Sequence, residues 1–563
     1  MKHVVLTTNA LMAALALCSS GPASAQAGTP AGATTRLSVS STGAEAGSDS
    51  ASPAMTPDGR YTIFQSFADN LVPGQAIGVG GIFLRDRSSG STVLVSVDSA
   101  GHPANQGCGN SSAITPDGRY VAFSSFASNL AAGDTNGVSD IFVHDLVTGL
   151  TTRRSVSSSG GQGNNDSTDP AISADGRYVA FTSLATNLVP GDINFAYDVF
   201  VHDRVTGKTV LASVSSTGAH GSVLGSSYAP VISADGRWVA FPSLTTNLVP
   251  GDSNHACDVF VHDMLTGSTE LDSVDSGGVQ GNELSFPTAI TPDGRFLAFH
   301  GAATNLVPGD TNGVWDVFVH DRVTGITERV SVDSNGSAAD VDSFGAAISS
   351  DGRHVAFTSS ATHLVPEDTN GWTDVFVHDR VSGSTERVSV DSAGMQGDYW
   401  AAAPAMSDDG RFVAFESAST NLVPGDTNGA ADIFLRDRQL PGPWSDLGHA
   451  LAGTSGLPGL AGGGSLAAGS HDTIALSQAR PLAPAWLVTG LAEAGVPLKG
   501  GLLVPEPLIL LVISTDASGA FSLPFVMPSG APAGIHLMSQ AWIADAEAVH
   551  GFAASNAIQG TTP

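Results

Sequence analysis

Cysteine is almost missing: the 563 residues contain three. That excludes a disulfide-stapled scaffold and leaves no paired cysteines for a zinc site. Lysine is equally scarce, limited to Lys2, Lys208 and Lys499, and 23 bases face 53 acids for a net charge of −30. A chain so acidic has no basic face for a nucleic-acid backbone and no polybasic patch for an anionic membrane. Charged residues make up only 13% of the chain against 42% hydrophobic ones, which excludes a chain kept unfolded by its own charge. No uninterrupted apolar run reaches the length of a membrane span; the nearest, residues 502–513, is broken by Pro505, Glu506 and Pro507. Catalytic signatures are absent as well. There is no Gly-x-Ser-x-Gly elbow and no His-Glu-x-x-His. Gly207-Lys208-Thr209 mimics the end of a phosphate loop, but His202 stands where its first glycine belongs.

Residues 1–25 read as an export signal. Lys2 supplies the positive charge, residues 11–17 a short apolar core, and Ala23-Ser24-Ala25 a cleavage motif before Gln26. Cys18 raises a lipoprotein alternative, but Leu17 precedes it where a small residue is required. The expected location is therefore the periplasm, the cell surface or the medium. Cys108 and Cys257 remain after cleavage, in different repeats, and are expected to be buried free thiols.

Internal repetition dominates the rest. Asp-Gly-Arg begins at Asp58, Asp117, Asp175, Asp235, Asp293, Asp351 and Asp409, at spacings of 59, 58, 60, 58, 58 and 58 residues. Around each triplet lie four short apolar segments. In repeat five these are Thr288-Ala289-Ile290, Phe296-Leu297-Ala298-Phe299, Val317-Phe318-Val319-His320 and Thr327-Glu328-Arg329-Val330-Ser331-Val332. Each is β-branched or aromatic and bounded by turn residues, so each is predicted to be a strand. Pro292-Asp293-Gly294 joins the first two as a hairpin. Four antiparallel strands repeated seven times predict an all-β chain with a seven-bladed β-propeller over residues 34–438.

Repeat seven breaks at Gln439-Leu440-Pro441-Gly442-Pro443 before a fourth strand. The missing strand stands at the other end, where Thr34-Thr35-Arg36-Leu37-Ser38-Val39-Ser40 matches Thr151-Thr152-Arg153-Arg154-Ser155-Val156-Ser157. The N-terminal strand is therefore expected to complete the last blade and close the ring. The pattern Ser/Thr-x-Asp-Gly-Arg, a strand ending in Phe, then Asp-Val-Phe-Val-His-Asp-Arg resembles the TolB-like, WD-repeat-like propellers of exported bacterial proteins. That resemblance implies the fold across residues 34–438. For function it implies only a family of binding scaffolds, peptidase accessory domains and some enzymes.

Residues 443–563 change character, with sparse charge and short apolar segments such as Ala485-Trp486-Leu487-Val488 and Phe521-Ser522-Leu523 between Gly, Pro and Ser turns. A C-terminal β-sandwich is predicted. Trp444-Ser445-Asp446-Leu447-Gly448, Lys499-Gly500-Gly501 and Ser555-Asn556-Ala557 resemble a module found at the C-termini of secreted bacterial proteins.

Six repeats carry Asp-x-Asn-x-x-x-Asp between strands two and three: Asp134/Asn136/Asp140, Asp192/Asn194/Asp198, Asp252/Asn254/Asp258, Asp310/Asn312/Asp316, Asp368/Asn370/Asp374 and Asp426/Asn428/Asp432. Hard oxygens at alternate positions, four times followed by glycine, are the donor pattern of calcium loops, so these residues are candidate calcium ligands. The motif resembles the second half of integrin-type propeller loops, whose first aspartate falls here at Pro308 in repeat five. The competing expectation is turn capping, in which Asp and Asn accept from nearby backbone N–H groups without metal. Repeat one has lost all three polar groups in its stretch beginning Gly74-Gln75-Ala76 and keeps its flanking strands.

The pairs His144-Asp145, His202-Asp203, His262-Asp263, His320-Asp321 and His378-Asp379 recur in blade after blade. A catalytic pair is needed once, so these are predicted to be structural. The links from strand four to the next blade vary, and Tyr399 and Trp400 in one of them are the candidate ligand contacts. His220, Tyr228, His300 and His363 are the non-repeated candidates for an enzymatic site.

The leading expectation is an exported, non-enzymatic binding protein, monomeric, with no cofactor beyond the candidate calcium. Its acidic loop face would meet a protein, a glycan or a cationic ligand. A propeller-based polysaccharide lyase or hydrolase is the alternative, and a calcium-stabilised extracellular structural protein a third.

Overall fold

The protein is described from a computed structural model. It describes residues 32–438, except 74–78 and 223–224, and, with interruptions, residues 444–561. The predicted export signal and residues 74–78 of the first repeat's loop lie outside the described residues. The chain divides into two compact units between Arg438 and Gln439. All described elements are strands, and no described helix is long and apolar enough to cross a membrane.

In the first unit seven sheets are four-stranded and antiparallel. Repeat five shows how one forms, in the order Ser285–Ile290, Phe296–Gly301, Asp316–Asp321 and Ile326–Arg329. Its first hairpin turns at Gly294, whose φ of +73° suits a residue without Cβ. Asp293 holds the turn, its Oδ1 accepting from the Arg295 N–H at 3.0 Å and the Thr291 hydroxyl at 2.7 Å.

Phe299 and Phe318 face each other across strands two and three with stacked rings 5.5 Å apart. The same pair recurs in every repeat, from Phe64–Phe83 to Phe415–Phe434. Each sheet is covered on both sides by its neighbours. Val317 and Val319 of repeat five share one buried cluster with Val355 and Phe357 of repeat six. Burial on both faces is why strand three is continuously apolar instead of alternating.

The strand Thr34–Arg36 pairs antiparallel with Asp432–Asp437, Arg36 opposite Phe434. The Leu37 N–H then donates to the Ile433 carbonyl at 2.7 Å. First and last repeats also meet directly, Ser50 N–H donating to the Ala431 carbonyl at 2.7 Å and the Arg87 guanidinium lying 4.2 Å above the Phe412 ring. Ser52, Asn110, Thr288, Gly345 and Ala403, on the first strands of five different sheets, line a single cavity of about 320 Å³. Sheets whose first strands converge on one cavity, the last completed by the opening strand, form a β-propeller.

In the second unit Trp444–Gly448, Ala557–Thr561, His536–Ala544, Pro484–Gly490 and Ile509–Ser514 make one sheet, to which Phe552–Ala554 adds. Gly459–Gly463, His471–Ser477 and Phe521–Val526 make a second. Leu460, Ile474 and Phe525 of the smaller sheet and Leu487, Ile543 and Ile558 of the larger share one buried apolar cluster.

Candidate functional site

The repeated groups resolve into a framework. In repeat five Arg295 of the Asp-Gly-Arg turn donates from Nε and Nη2 to the two oxygens of Asp321, at 3.0 and 2.8 Å. All seven repeats form this pair. Its partner is the aspartate of the His-Asp dipeptide, or of Arg85-Asp86 and Arg436-Asp437 in repeats one and seven, so the bond lies within a blade. The Arg295 bonds hold the Asp321 carboxyl well below the usual carboxylate range, despite its burial. The neighbouring His320 is buried, its Nδ1 2.8 Å from the Thr327 hydroxyl, and burial lowers its affinity for a proton. Contact between blades falls to the next arginine: Arg322 stacks 4.1 Å above Trp238 of the preceding repeat.

The acidic loops are half framework too. The second aspartate of each is fully buried and accepts from a serine hydroxyl 15 residues on, as in Ser331 to Asp316 at 2.6 Å and Ser273 to Asp258 at 2.7 Å. In repeat seven that serine is Ser38 of the N-terminal strand.

The asparagine of each loop, a candidate calcium ligand by sequence, caps its own turn. Oδ1 of Asn312 accepts from Val314 N–H at 3.3 Å, and its Nδ2 donates to Asp316 at 2.8 Å and to the Ala339 carbonyl at 3.0 Å. The sister loops repeat the cap. Oδ1 of Asn136 accepts from Val138 N–H at 3.4 Å, that of Asn194 from Ala196 at 3.1 Å, and that of Asn254 from Ala256 at 2.9 Å. Asn370 accepts from Trp372 N–H and Asn428 from Ala430 N–H, both at 2.9 Å. The Nδ2 groups donate across to the link that leads to the next blade. Asn136 reaches the Gly163 carbonyl at 3.0 Å, Asn254 Gly281 at 2.8 Å, Asn370 Gly397 at 3.0 Å and Asn428 Ala46 at 2.9 Å. In Asn136, Asn254, Asn312, Asn370 and Asn428 the amide is fixed at both ends by the chain's own backbone, its oxygen toward an N–H of its loop, which is the arrangement of a capped turn. These cross-bonds tie the acidic loop to the link, which places both on one rim.

The first aspartate is bridged to the second by a donor from another segment. Nη1 of Arg153 lies 3.2 Å from both Asp134 and Asp140. Arg329 lies 3.0 and 3.1 Å from Asp310 and Asp316, Arg387 3.0 and 3.5 Å from Asp368 and Asp374, and Arg36 3.3 and 2.9 Å from Asp426 and Asp432. In repeat four Leu271 replaces the arginine, and Nε2 of Gln280 donates to Asp252 at 2.7 Å and Asp258 at 2.8 Å. Repeat three, with Leu211, has neither among the described residues. Burial raises Asp192 to about 6, Asp198 adding and His220 opposing, and burial likewise raises Asp374 to about 6.

The non-repeated residues gather on the same rim. Phe286 stacks on His300 at 5.6 Å and on Trp315 at 5.7 Å, Phe344 meets His300 edge-on at 5.8 Å, and Tyr228 lies 6.2 Å from Phe286. These five rings come from repeats four, five and six. Trp315 belongs to an acidic loop, and Phe286 and Phe344 stand two residues before Thr288 and Ala346, which line the central cavity. Burial lowers His300 to about 4. Of the non-repeated candidates the structure therefore joins Tyr228 and His300. His220 stands instead beside Asp192, and His363 bonds to the Ala338 carbonyl at 2.9 Å and to Asp340.

Tyr399 packs 4.2 Å from Trp372, both about two-fifths exposed at 40% and 42%, while Trp400 is half-buried. Phe286, Trp315, Phe344 and Trp372 were not singled out from sequence. Aligning the repeats exposes them: Trp315 and Phe286 occupy positions that hold Ser139 and Gly109 in repeat two. Cys108 and Cys257 are free and buried, and burial raises Cys257 to about 12.

No protein-family model matches the chain, and no curated protein matches it in sequence. Among solved structures it is similar to one assigned as TolB from Agrobacterium tumefaciens, at 17% identity and a TM-score of 0.32 over 50% of this chain and 80% of that one. It is also similar to a prolyl endopeptidase at 13% identity and TM-score 0.42, over 85% of this chain but only 61% of that one, and to U3-55K at 10% and 0.37, over 73% and 100%. Likenesses this distant add nothing to what the sheets themselves show.

Proposed function

We propose that the chain is an exported, non-enzymatic binding protein, a seven-bladed propeller closed by its N-terminal strand and followed by a β-sandwich, whose acidic rim captures a glycan. The observation that carries this reading is the convergence of Tyr228, Phe286, His300, Trp315 and Phe344 from three adjacent repeats onto the rim that also bears the acidic loops. Aromatic faces offer large, rigid contact area at small entropic cost, and they stack on the apolar faces of sugar rings. The His-Asp pairs are repeated framework at the far end of strand three, and among the described residues His300 is enclosed by rings with no carboxylate bonded to it. Trp372 and Tyr399 form a second exposed aromatic pair in the next sector of the rim.

The test is a panel of soluble polysaccharides titrated against the full chain with tryptophan fluorescence as readout. Binding weakened at least tenfold by Trp315→Ala and Phe344→Ala, with no release of new reducing ends, is the expected result. Release of reducing or unsaturated ends would replace the binding reading with the hydrolase or lyase one, and unaltered affinity in both variants would remove the platform.

A further inference from the structure

The six acidic loops are built alike, and in five of them the two carboxylates are already matched. In four loops one guanidinium nitrogen reaches Oδ1 of the first aspartate and Oδ2 of the second, and in repeat four the Gln280 amide reaches the same two atoms. Repeat three differs at both donor positions. Leu211 takes the arginine's place at the end of strand four, and His220 takes the place of Gln280, as their bridges with Val214 and Val274 show. Its aspartates are nonetheless as buried as their counterparts, Asp192 at 6% and Asp198 at 1% exposed, with Asn194 at 4%. Asp198 is held by Ser213 at 2.7 Å and Asn194 at 2.8 Å. Oδ1 of Asp192 is buried and has neither a hydrogen bond nor an ion pair with any described residue, whereas Oδ1 of Asp310 and of Asp368, which likewise accept no hydrogen bond, each lie 3.0 Å from a guanidinium nitrogen. A buried carboxylate oxygen without a partner is costly, and a pair of buried carboxylates without a positive charge is more so.

We propose that the loop of repeat three, alone among the six, binds a calcium-like divalent cation between Asp192 and Asp198, in the place its sister loops give to a side-chain donor of the chain. Among the described residues no third acid, histidine or cysteine joins the pair within metal-binding reach. The remaining ligands are therefore neutral oxygens, from loop carbonyls, water and the second lone pair of the Asn194 amide oxygen. An all-oxygen set with two negative charges suits a hard divalent cation and predicts the weak affinity of extracellular modules, on the order of 10⁻⁴–10⁻³ M. This proposal is independent of glycan capture, because its readout needs no glycan.

The experiment is thermal unfolding and calorimetric titration of the full chain in metal-free buffer with added Ca²⁺. Wild type is expected to bind one equivalent and to gain on the order of 3 °C at a hundredfold excess over Kd. Asp192→Asn is expected to abolish both responses. Leu211→Arg rebuilds the sister loops, so it is expected to fold, to melt higher than wild type without metal, and to be indifferent to Ca²⁺. It keeps the test decisive should Asp192→Asn misfold. No calcium response in wild type, or an undiminished response in Leu211→Arg, overturns the proposal. So does a calcium-insensitive wild type whose melting temperature falls on His220→Ala, because the imidazole is then the resident donor.

Discussion

His300 stands at a strand position held elsewhere by Gln65, Ser124, Thr182, Pro242, Thr358 and Glu416, and its surroundings decide its charge. Phe286, Trp315 and Phe344 enclose the ring, and burial lowers its pKa to about 4. The unfolded chain takes up this proton near pH 6.5 and the folded chain refuses it until about pH 4, so the stability that neutral His300 contributes is lost as pH falls through that window. Chemical denaturation at pH 7 and pH 4.5 checks this. Wild type should lose more stability on acidification than His300→Phe, by at most about 3 kcal/mol, while all other titrations are common to both. An equal loss in both would remove the effect. His300 was recognisable in sequence as non-repeated, but its neighbours were not. Phe286 and Phe344 lie 58 residues apart, one repeat length, and look like ordinary strand aromatics until adjacent blades are superposed.

Turns and strand pairs belong to the scale of the element, where the sequence was most legible. Short β-branched and aromatic runs between Pro-Asp-Gly and Thr-Gly turns encode hairpins locally, and the described strands follow them. What local sequence does not carry is the neighbour on which a turn lands. Gly294 and Gly325 share a φ of +73°, yet a Cβ on Gly294 would lie 2.1 Å from Cδ1 of Trp238 in the preceding repeat, and one on Gly325 would meet nothing within 4 Å. Both alanine variants carry the left-handed strain of about 1 kcal/mol. Gly294→Ala adds overpacking against a stacked indole, so urea unfolding should place it about 1–3 kcal/mol below Gly325→Ala. Equal values would mean that the turn and the Trp238 ring part freely.

At the scale of the whole molecule the opening strand carries a disproportionate share. Arg36 pairs with Asp426 and Asp432, Ser38 bonds to Asp432, and Leu37 enters the cluster formed by Ile433, Leu435, Phe64 and Phe83. Deleting residues 32–40 is expected to lower the unfolding midpoint and to produce oligomers on size-exclusion chromatography, because the edge of Asp432–Asp437 and a buried carboxylate lose their partners. A synthetic peptide of residues 32–47 should restore the midpoint in trans, and a deletion variant as stable as wild type would refute the clasp. By itself the sequence determined the repeat length, the strands within it, the tight turns and the match between the first strand and the missing last one, since all of these follow from local pattern and composition. Which donor answers each buried carboxylate was decided only by tertiary structure. Arg153 comes from a strand 13 residues beyond Asp140, Gln280 from a link 28 residues beyond Asp252, and Arg36 from the far end of the chain. A motif read along the backbone lists the acids of each loop, but their neutralisation depends on charges that only folding brings within hydrogen-bond reach.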